Sequence, residues 1–336
     1  MLLKKRLKAL LLILLPAVFI LISLCIGRYP ISLSKVIRIL ISGISGNIDA
    51  ANNLYWNIIW EIRMPRAILG ALVGGALGIS GAALQGLFKN PLVSPGILGV
   101  SSGAGFGAAV AILTFGATAV VYPFALAFGI LAVFLSYLIG RTYNTAPTIM
   151  LVLGGVIVSS IFTSLISFTK YVADPYEQLP SIVFWMMGSL ANAGYRDILT
   201  AGPIIILGSL GVYLVRWRIN VLSMGDKEAR TLGIDTRAAK GIVVTSATLA
   251  TAGAVCVSGT IGWVGLIIPH IGRMLVGNDN RLLIPVSFSL GACFLIIVDN
   301  LSRILTGSEI PLGILTSLIG GPFFIYLLKK TKARGW

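Results

Sequence analysis

Residues 70–86 read GALVGGALGISGAALQG, and this stretch decides the fold class. Gly70, Gly74 and Gly78 recur every fourth residue, with Ala71, Gly75 and Ile79 one step round the same helix. A small residue at every fourth position lets two helix backbones approach closely in lipid. Working outward, apolar runs bounded by Gly, Pro or charge fall at 9–27, 66–86, 97–114, 119–140, 148–169, 197–215, 240–258, 262–276, 282–302 and 311–328. A membrane-crossing helix needs about 20 apolar residues, whereas a barrel strand needs about half that, and only helices or closed barrels satisfy their backbones in lipid. The pattern therefore predicts an all-α polytopic membrane protein of about ten transmembrane helices, a single transmembrane domain over 1–336. The run 181–190, SIVFWMMGSL, is too short to cross and is expected to be re-entrant or interfacial.

Composition agrees. The chain is 57% hydrophobic and only 11% charged, whereas soluble domains carry about a quarter charged residues. The net charge of +15 raises nucleic acid as a partner. However, the basic residues lie in short clusters between apolar runs, KKRLK at 4–8, RWR at 216–218 and KKTKAR at 329–334, with no aromatics interleaved on a solvated patch. Nucleic-acid binding is excluded on that pattern. Cys25, Cys256 and Cys293 are odd in number, sit in apolar runs and lack metal-ligand spacing, and His270 is the sole histidine. No metal site and no cofactor are expected. The basic start and apolar stretch of 9–27 resemble a signal peptide, but no small-x-small site follows, so an uncleaved first helix is expected.

Ten spans put both termini on one side. With that side cytoplasmic, the outside keeps Arg28, Lys35, Arg38, Arg63, Arg66, Lys170, Arg196 and Arg303, and all other Lys and Arg of the total of 26 fall inside. Positive charge favours the cytoplasmic side, so this orientation is expected, and Arg63 and Arg66 are exceptions to it. Pattern alone leaves two readings open. Arg66 can snorkel from a helix start and Arg303 can pair with Asp299 at i−4, or these arginines await a partner's carboxylates.

Three motif readings bound the chemistry. Gly99-x-Ser101-x-Gly103 matches a nucleophile-elbow spacing, but it lies at a membrane helix start without the strand and histidine the motif requires. No phosphate-binding G-x-x-x-x-G-K-[ST] spacing occurs. No lone acid sits midway along an apolar run, as an ion-driven secondary transporter would need. The chain reads as a passive pathway that borrows its energy. The longest polar stretch assigned to the inside is 219–240, where Gly225 and Asp226 open a short helix, Gly233 closes it at C′, and Ala229 and Leu232 share an apolar face. Such a helix is too short to stand alone and must lie on the membrane or dock into something.

Together the segments RMPRAILGALVGGALGISGAALQGLFKNPLVSPGILGVSSGAG (63–105), GDKEARTLGID (225–235), GTIGWVGLIIPHIGRML (259–275) and DNLSRILTGSEIPLGILTSLIGGPFFIYLL (299–328) resemble the FecCD-type permease subunits of type II ABC importers for ferric siderophores, haem and cobalamin. The resemblance covers nearly the whole chain. It implies a homodimer of this chain with the substrate passage at its interface, two ATP-binding subunits beneath and an external binding protein, periplasmic or lipid-anchored, above, in the cytoplasmic (inner) membrane. It implies that ATP hydrolysis belongs to the partners. By the same resemblance Arg63, Arg66 and Arg303 pair with glutamates of the binding protein. Met224, Gly225, Asp226, Lys227, Glu228, Ala229, Arg230, Thr231, Leu232, Gly233 and Ile234 form the ATPase-coupling helix, and Asn90 and Leu92 narrow the pathway as a cytoplasmic gate.

Overall fold

The computed structural model describes residues 2–45, 53–116, 118–141 and 148–332, all helix and connecting turns with no strand among them. In order, the helices are α1 Leu2–Cys25, α2 Leu33–Ser45, α3 Asn53–Asn57, α4 Met64–Phe88, α5 Val100–Phe115, α6 Thr118–Gly140, α7 Thr148–Val172, α8 Gln178–Met187, α9 Tyr195–Leu214, α10 Arg216–Met224, α11 Asp226–Thr231, α12 Thr236–Ser258, α13 Val264–Val276, α14 Asn280–Ile304 and α15 Leu312–Lys332. Among the described residues, six stretches are long and apolar enough to cross a membrane: Leu54–Phe88, Val120–Gly140, Thr148–Val172, Tyr195–Leu214, Thr236–Ser258 and Asn280–Ile304. Shorter apolar helices at Leu10–Cys25, Val100–Phe115, Val264–Val276 and Leu312–Leu327 coincide with the remaining expected spans. The 181–190 run falls largely on α8, ten residues long and too short to cross.

One boundary differs from expectation. Pro65 marks the sequence as a helix start, yet the helical rod runs unbroken from Asn53, through a π-helical turn at Ile58–Arg63, into α4. A proline ring clashes with the carbonyl four residues back in an α-helix. Here the Met64 N–H bonds instead to the Ile59 carbonyl, five residues back, and this wider turn carries the helix past the proline. Arg63 and Arg66 consequently stand on a continuous helix rather than on a loop.

The α4 rod is the axis of the molecule. Its apolar window is 89% buried, against 33% for those of α6 and α7, so it is surrounded by protein while they face outward. Glycines make this possible. A Cβ on Gly74 would run into the Gly291 carbonyl of α14, and one on Gly291 would run into the Gly74 carbonyl. Gly78 meets the Ser287 carbonyl of α14 in the same way, and Gly81 the Gly265 carbonyl of α13. A helical glycine costs about 0.5–1 kcal/mol relative to alanine; close backbone contact offsets that cost in lipid, where burying apolar side chains supplies little drive between helices. Helix α12 packs against both α4 and α9, which also touch each other, with Ser80 Oγ donating to the Ala247 carbonyl at 3.1 Å. The trio α5, α6 and α7 forms a second layer, closed by Gly103 and Gly107 against the Phe128 and Phe124 carbonyls and by the Phe106–Phe128 edge contact at 5.3 Å.

Because Gly74 has no room and Gly241 of α12 has nothing within 4 Å of a built Cβ, opposite outcomes are expected. Gly74→Val should lower the thermal midpoint of the detergent-solubilised protein by several degrees, whereas Gly241→Ala should leave it unchanged or raise it, by up to about 1 kcal/mol of stability. A tolerated Gly74→Val would refute the close crossing.

Candidate functional site

The two ends of the α4 rod carry different chemistry. At its N-terminal end Arg66, on the first turn of α4, clamps two carboxylates. Its Nε lies 2.8 and 3.1 Å from the Asp299 oxygens, and Nη1 and Nη2 each lie 2.9 Å from a Glu309 oxygen. Asp299 also pairs with Arg303 at 3.3 Å, one turn on along α14. Arg303 continues the network to Ser23 Oγ at 3.1 Å and to Asn300 Oδ1, and Ser23 donates to the same Asn300 oxygen at 2.8 Å. Arg63 has a different arrangement: its Nη1 and Nη2 donate to the carbonyls of Leu24 and Tyr29, at 2.6 and 2.5 Å. Gly27 lies beneath it, where a Cβ would come within 2.8 Å of Nη2. The network thus joins α1, α4, α14 and the 305–311 loop.

The arginines expected at an open rim are brought together but lie below the surface, 4% exposed for Arg63 and Arg66 and 8% for Arg303. The i−4 pairing of Arg303 with Asp299 is present, and in place of snorkelling, one of the two readings left open for Arg66, the double clamp holds its guanidinium. The reason is electrostatic. A buried guanidinium is tolerated only where carboxylates or oriented carbonyls satisfy it. Three cations against two acids leave the cluster with a surplus of positive charge. Glu309 is its solvent-facing acid, with a side chain 29% exposed against 3% for Asp299. Burial pushes the Glu309 carboxyl up, but the hydrogen bond and charge of Arg66, with the charges of Arg303 and Arg28, outweigh it and hold the group below its ordinary value. Arg28, exposed, closes the rim by donating to the Gly307 carbonyl at 2.5 Å.

At the other end, α4 stops at Lys89, which takes a left-handed conformation (φ 51°). Asn90 Oδ1 then accepts the Leu92 N–H at 2.9 Å, an Asx-turn that presents Leu92 51% exposed. Beneath this loop Gln85 is 3% exposed. Its Nε2 donates to the carbonyls of Val93 and Gly265 at 3.2 and 3.3 Å, and its Oε1 accepts from Arg273 of α13 at 2.5 Å. The gate residues expected from sequence were Asn90 and Leu92; Gln85 and Arg273, which hold their loop to α13, were missed. An amide inside an otherwise apolar run was the only available signal.

Beside this loop lies the 224–234 segment. Gly225 (φ 146°) turns the chain from α10 into α11, at a value that favours glycine. The end of α11 is a Schellman closure: the Gly233 N–H bonds to the Arg230 carbonyl at 2.9 Å and the Ile234 N–H to the Ala229 carbonyl at 3.0 Å. Ala229 is fully buried in the core, and Lys240 of α12 pairs with Asp226 at 2.7 Å. Leu232 does not share Ala229's face as expected. The helix ends at Thr231, and Leu232 swings out to 58% exposure, joined by Met224 at 61%. The segment is therefore anchored on its own chain by one side while Met224, Leu232, Lys227 and Arg230 remain exposed.

This arrangement is a polytopic helical bundle whose long apolar helices fit a membrane and whose two ends carry different polar chemistry. Comparison with known proteins identifies it further: the FecCD transport family matches residues 12–330, and the chain belongs to that family. It is 39% identical over 315 residues to the molybdate import system permease of Haemophilus influenzae, covering 94% of this chain and 93% of that one. It is 41% identical to the cobalamin import system permease of Halobacterium salinarum, with 82% and 74% covered, and 36% identical to the hemin transport system permease of Yersinia pestis, with 84% and 86% covered. A solved metal-chelate type ABC transporter in an inward-facing conformation superposes with a TM-score of 0.86 at 38% identity, covering 96% of this chain and 99% of that one. The chain is thus a membrane-embedded permease subunit of an ABC importer, and ATP hydrolysis in such importers belongs to separate subunits.

Removing Arg66 would strand Asp299, 2% exposed, with a single remaining partner. Arg66→Leu is therefore expected to destabilise the protein by about 3–5 kcal/mol, and the combined variant that replaces Arg66, Asp299, Arg303 and Glu309 together with leucine, leaving no member of the group unpaired, by much less. Thermal unfolding in detergent reads both, and equal losses would contradict the charge argument.

Proposed function

We propose that two copies of this chain pair in the cytoplasmic membrane, with both termini cytoplasmic. They pass a bulky metal chelate, a ferric siderophore, haem or cobalamin, inward through a passage at their interface. The observation that carries this reading is on α7. Ser160, Thr163, Ser164 and Ser167 are exposed, Ser159 is half-buried beside them, and all fall on one side of a helix whose next face bears exposed Ile157, Ile161 and Phe168. A hollow of about 540 Å³ lined by Ile97, Val156, Ser159, Ser160, Thr163 and Ser164 lies along that side. Isoleucine and phenylalanine suit lipid, whereas a row of hydroxyls suits water or a partner. Uncharged hydroxyls offer weak contacts, which fit rapid release of a large cargo better than capture of a compact oxyanion such as molybdate.

The remaining roles follow from the two ends. Met224 and Leu232 offer an exposed apolar contact on an anchored segment, so residues 224–234 act as the coupling helix for two ATP-binding subunits. Leu92, raised by Asn90, narrows the cytoplasmic end of the passage. At the outer end Glu309 is the exchangeable member of the arginine cluster. A carboxylate of the external binding protein reaches Arg66 by taking its place, drawn by the surplus positive charge of Arg63, Arg66 and Arg303. Pairs of this kind at a wet rim govern orientation and encounter rate more than affinity.

Reconstitution of the chain with its ATPase and binding protein tests the reading. Thr163→Cys should give disulfide-linked dimers of this chain on oxidation; intramolecular products alone would refute the interface. Met224→Asp with Leu232→Asp should abolish co-purification of the ATPase without moving the thermal midpoint, since both side chains are exposed. Glu309→Gln should speed binding-protein association severalfold, and an unchanged rate would remove the cluster from docking. Labelled chelates should be taken up in preference to molybdate; molybdate uptake alone would overturn the substrate class.

A further inference from the structure

Helix α2, which links the first span to the α4 rod, divides its circumference three ways. Val36 and Ile39 are buried, joined by Tyr55, Trp56 and Trp60 in one small core. Leu33, Ile37 and Ile41 follow at four-residue intervals and are all exposed, 54, 45 and 62%. Ser34, Lys35, Arg38 and Ser42 fill the arc between these two faces at about 100° per residue. A helix in water buries one apolar face and exposes a polar one. A second apolar row left open needs a second apolar medium. The chain reaches α2 through the short 26–32 connection that follows α1, whose Val18, Leu21 and Ile22 are likewise exposed. Helix α2 therefore continues the lipid-facing surface, with one face on protein, one in acyl chains and one among headgroups.

The headgroup face is cationic. It carries Lys35 and Arg38, two hydroxyls and no carboxylate. Lys35 Nζ stands 3.2 Å over the Tyr55 ring, and Arg38 has no hydrogen bond or ion pair among the described residues. A hollow of about 270 Å³ opens between Ser34, Lys35, Arg38 and Ile39. We propose that α2 lies in the bilayer surface and that Lys35 and Arg38, with Ser34, hold the phosphate of an anionic phospholipid. The site sits at the same end of the bundle as the Arg66 cluster, and it accounts for two further cations that depart from the positive-inside pattern.

The test uses the full chain reconstituted into nanodiscs of mixed phosphatidylglycerol and phosphatidylcholine, with bound lipid counted by native mass spectrometry. Phosphatidylglycerol should be retained preferentially. Lys35→Gln with Arg38→Gln should weaken that retention by roughly thirtyfold, as expected when two basic residues leave an anionic surface. Soluble glycerol 3-phosphate should not compete. Unchanged retention in the double variant would overturn the site, and competition by the soluble phosphate would overturn its lipid source. Independently, a nitroxide on Ile37→Cys should be relaxed by oxygen more than by a water-soluble nickel complex; the reverse would place this face in water and refute the interfacial helix. None of these readouts depends on transport.

Discussion

The direct approach of backbones at the crossing of α4 and α14 is the constraint on which the rest of the molecule rests. Gly74 and Gly291 face one another's carbonyls with no room for a Cβ, and Gly78 and Gly81 extend the contact to Ser287 and Gly265. In lipid, apolar side chains gain little by leaving one hydrocarbon environment for another, so packing and backbone contact must supply the association. That need explains why the most glycine-rich helix is the most enclosed, and why α6 and α7, whose windows are only 33% buried, can be left to face lipid or a partner.

Two polar hubs pin the ends of this axis. At one end the guanidinium of Arg66 bridges α14 and the 305–311 loop, and Arg303 reaches α1 through Ser23. At the other, Gln85 joins the 89–94 loop to Arg273 of α13. No fully buried side-chain nitrogen or oxygen of either hub lacks a partner, which is the condition for polar groups at such depth to rigidify rather than destabilise. Between the hubs α4 is a stiff rod. A push on the segment anchored by Ala229 and the Lys240–Asp226 pair therefore has a rigid element to act on, and transitions between discrete packings are the usual way such movement is used.

The asymmetry of the ends gives each a distinct chemistry without any catalytic group. One end holds a surplus of positive charge behind a single accessible carboxylate, and the other holds exposed apolar side chains on a capped turn of helix. The first suits reversible recognition of anionic groups and the second suits a protein groove. Along α7, hydroxyls occupy the face where lipid would be expected.

Much of this was legible in the sequence. Ten apolar runs give helices because backbone groups in lipid must be satisfied within their own segment. Asp299 and Arg303 are one turn apart, and Gly225 and Gly233 bracket α11 through local backbone geometry. Those features depend on neighbours within a few residues. The tertiary structure alone decided that Arg66 spends its guanidinium on Glu309, 243 residues away, and that Gln85 meets Arg273, 188 residues away. It alone decided that a π-turn carries the helix past Pro65 and takes Arg63 inside. Such pairings depend on which helices lie side by side, and close packing of glycine against carbonyl, not any periodicity along the chain, selects those neighbours.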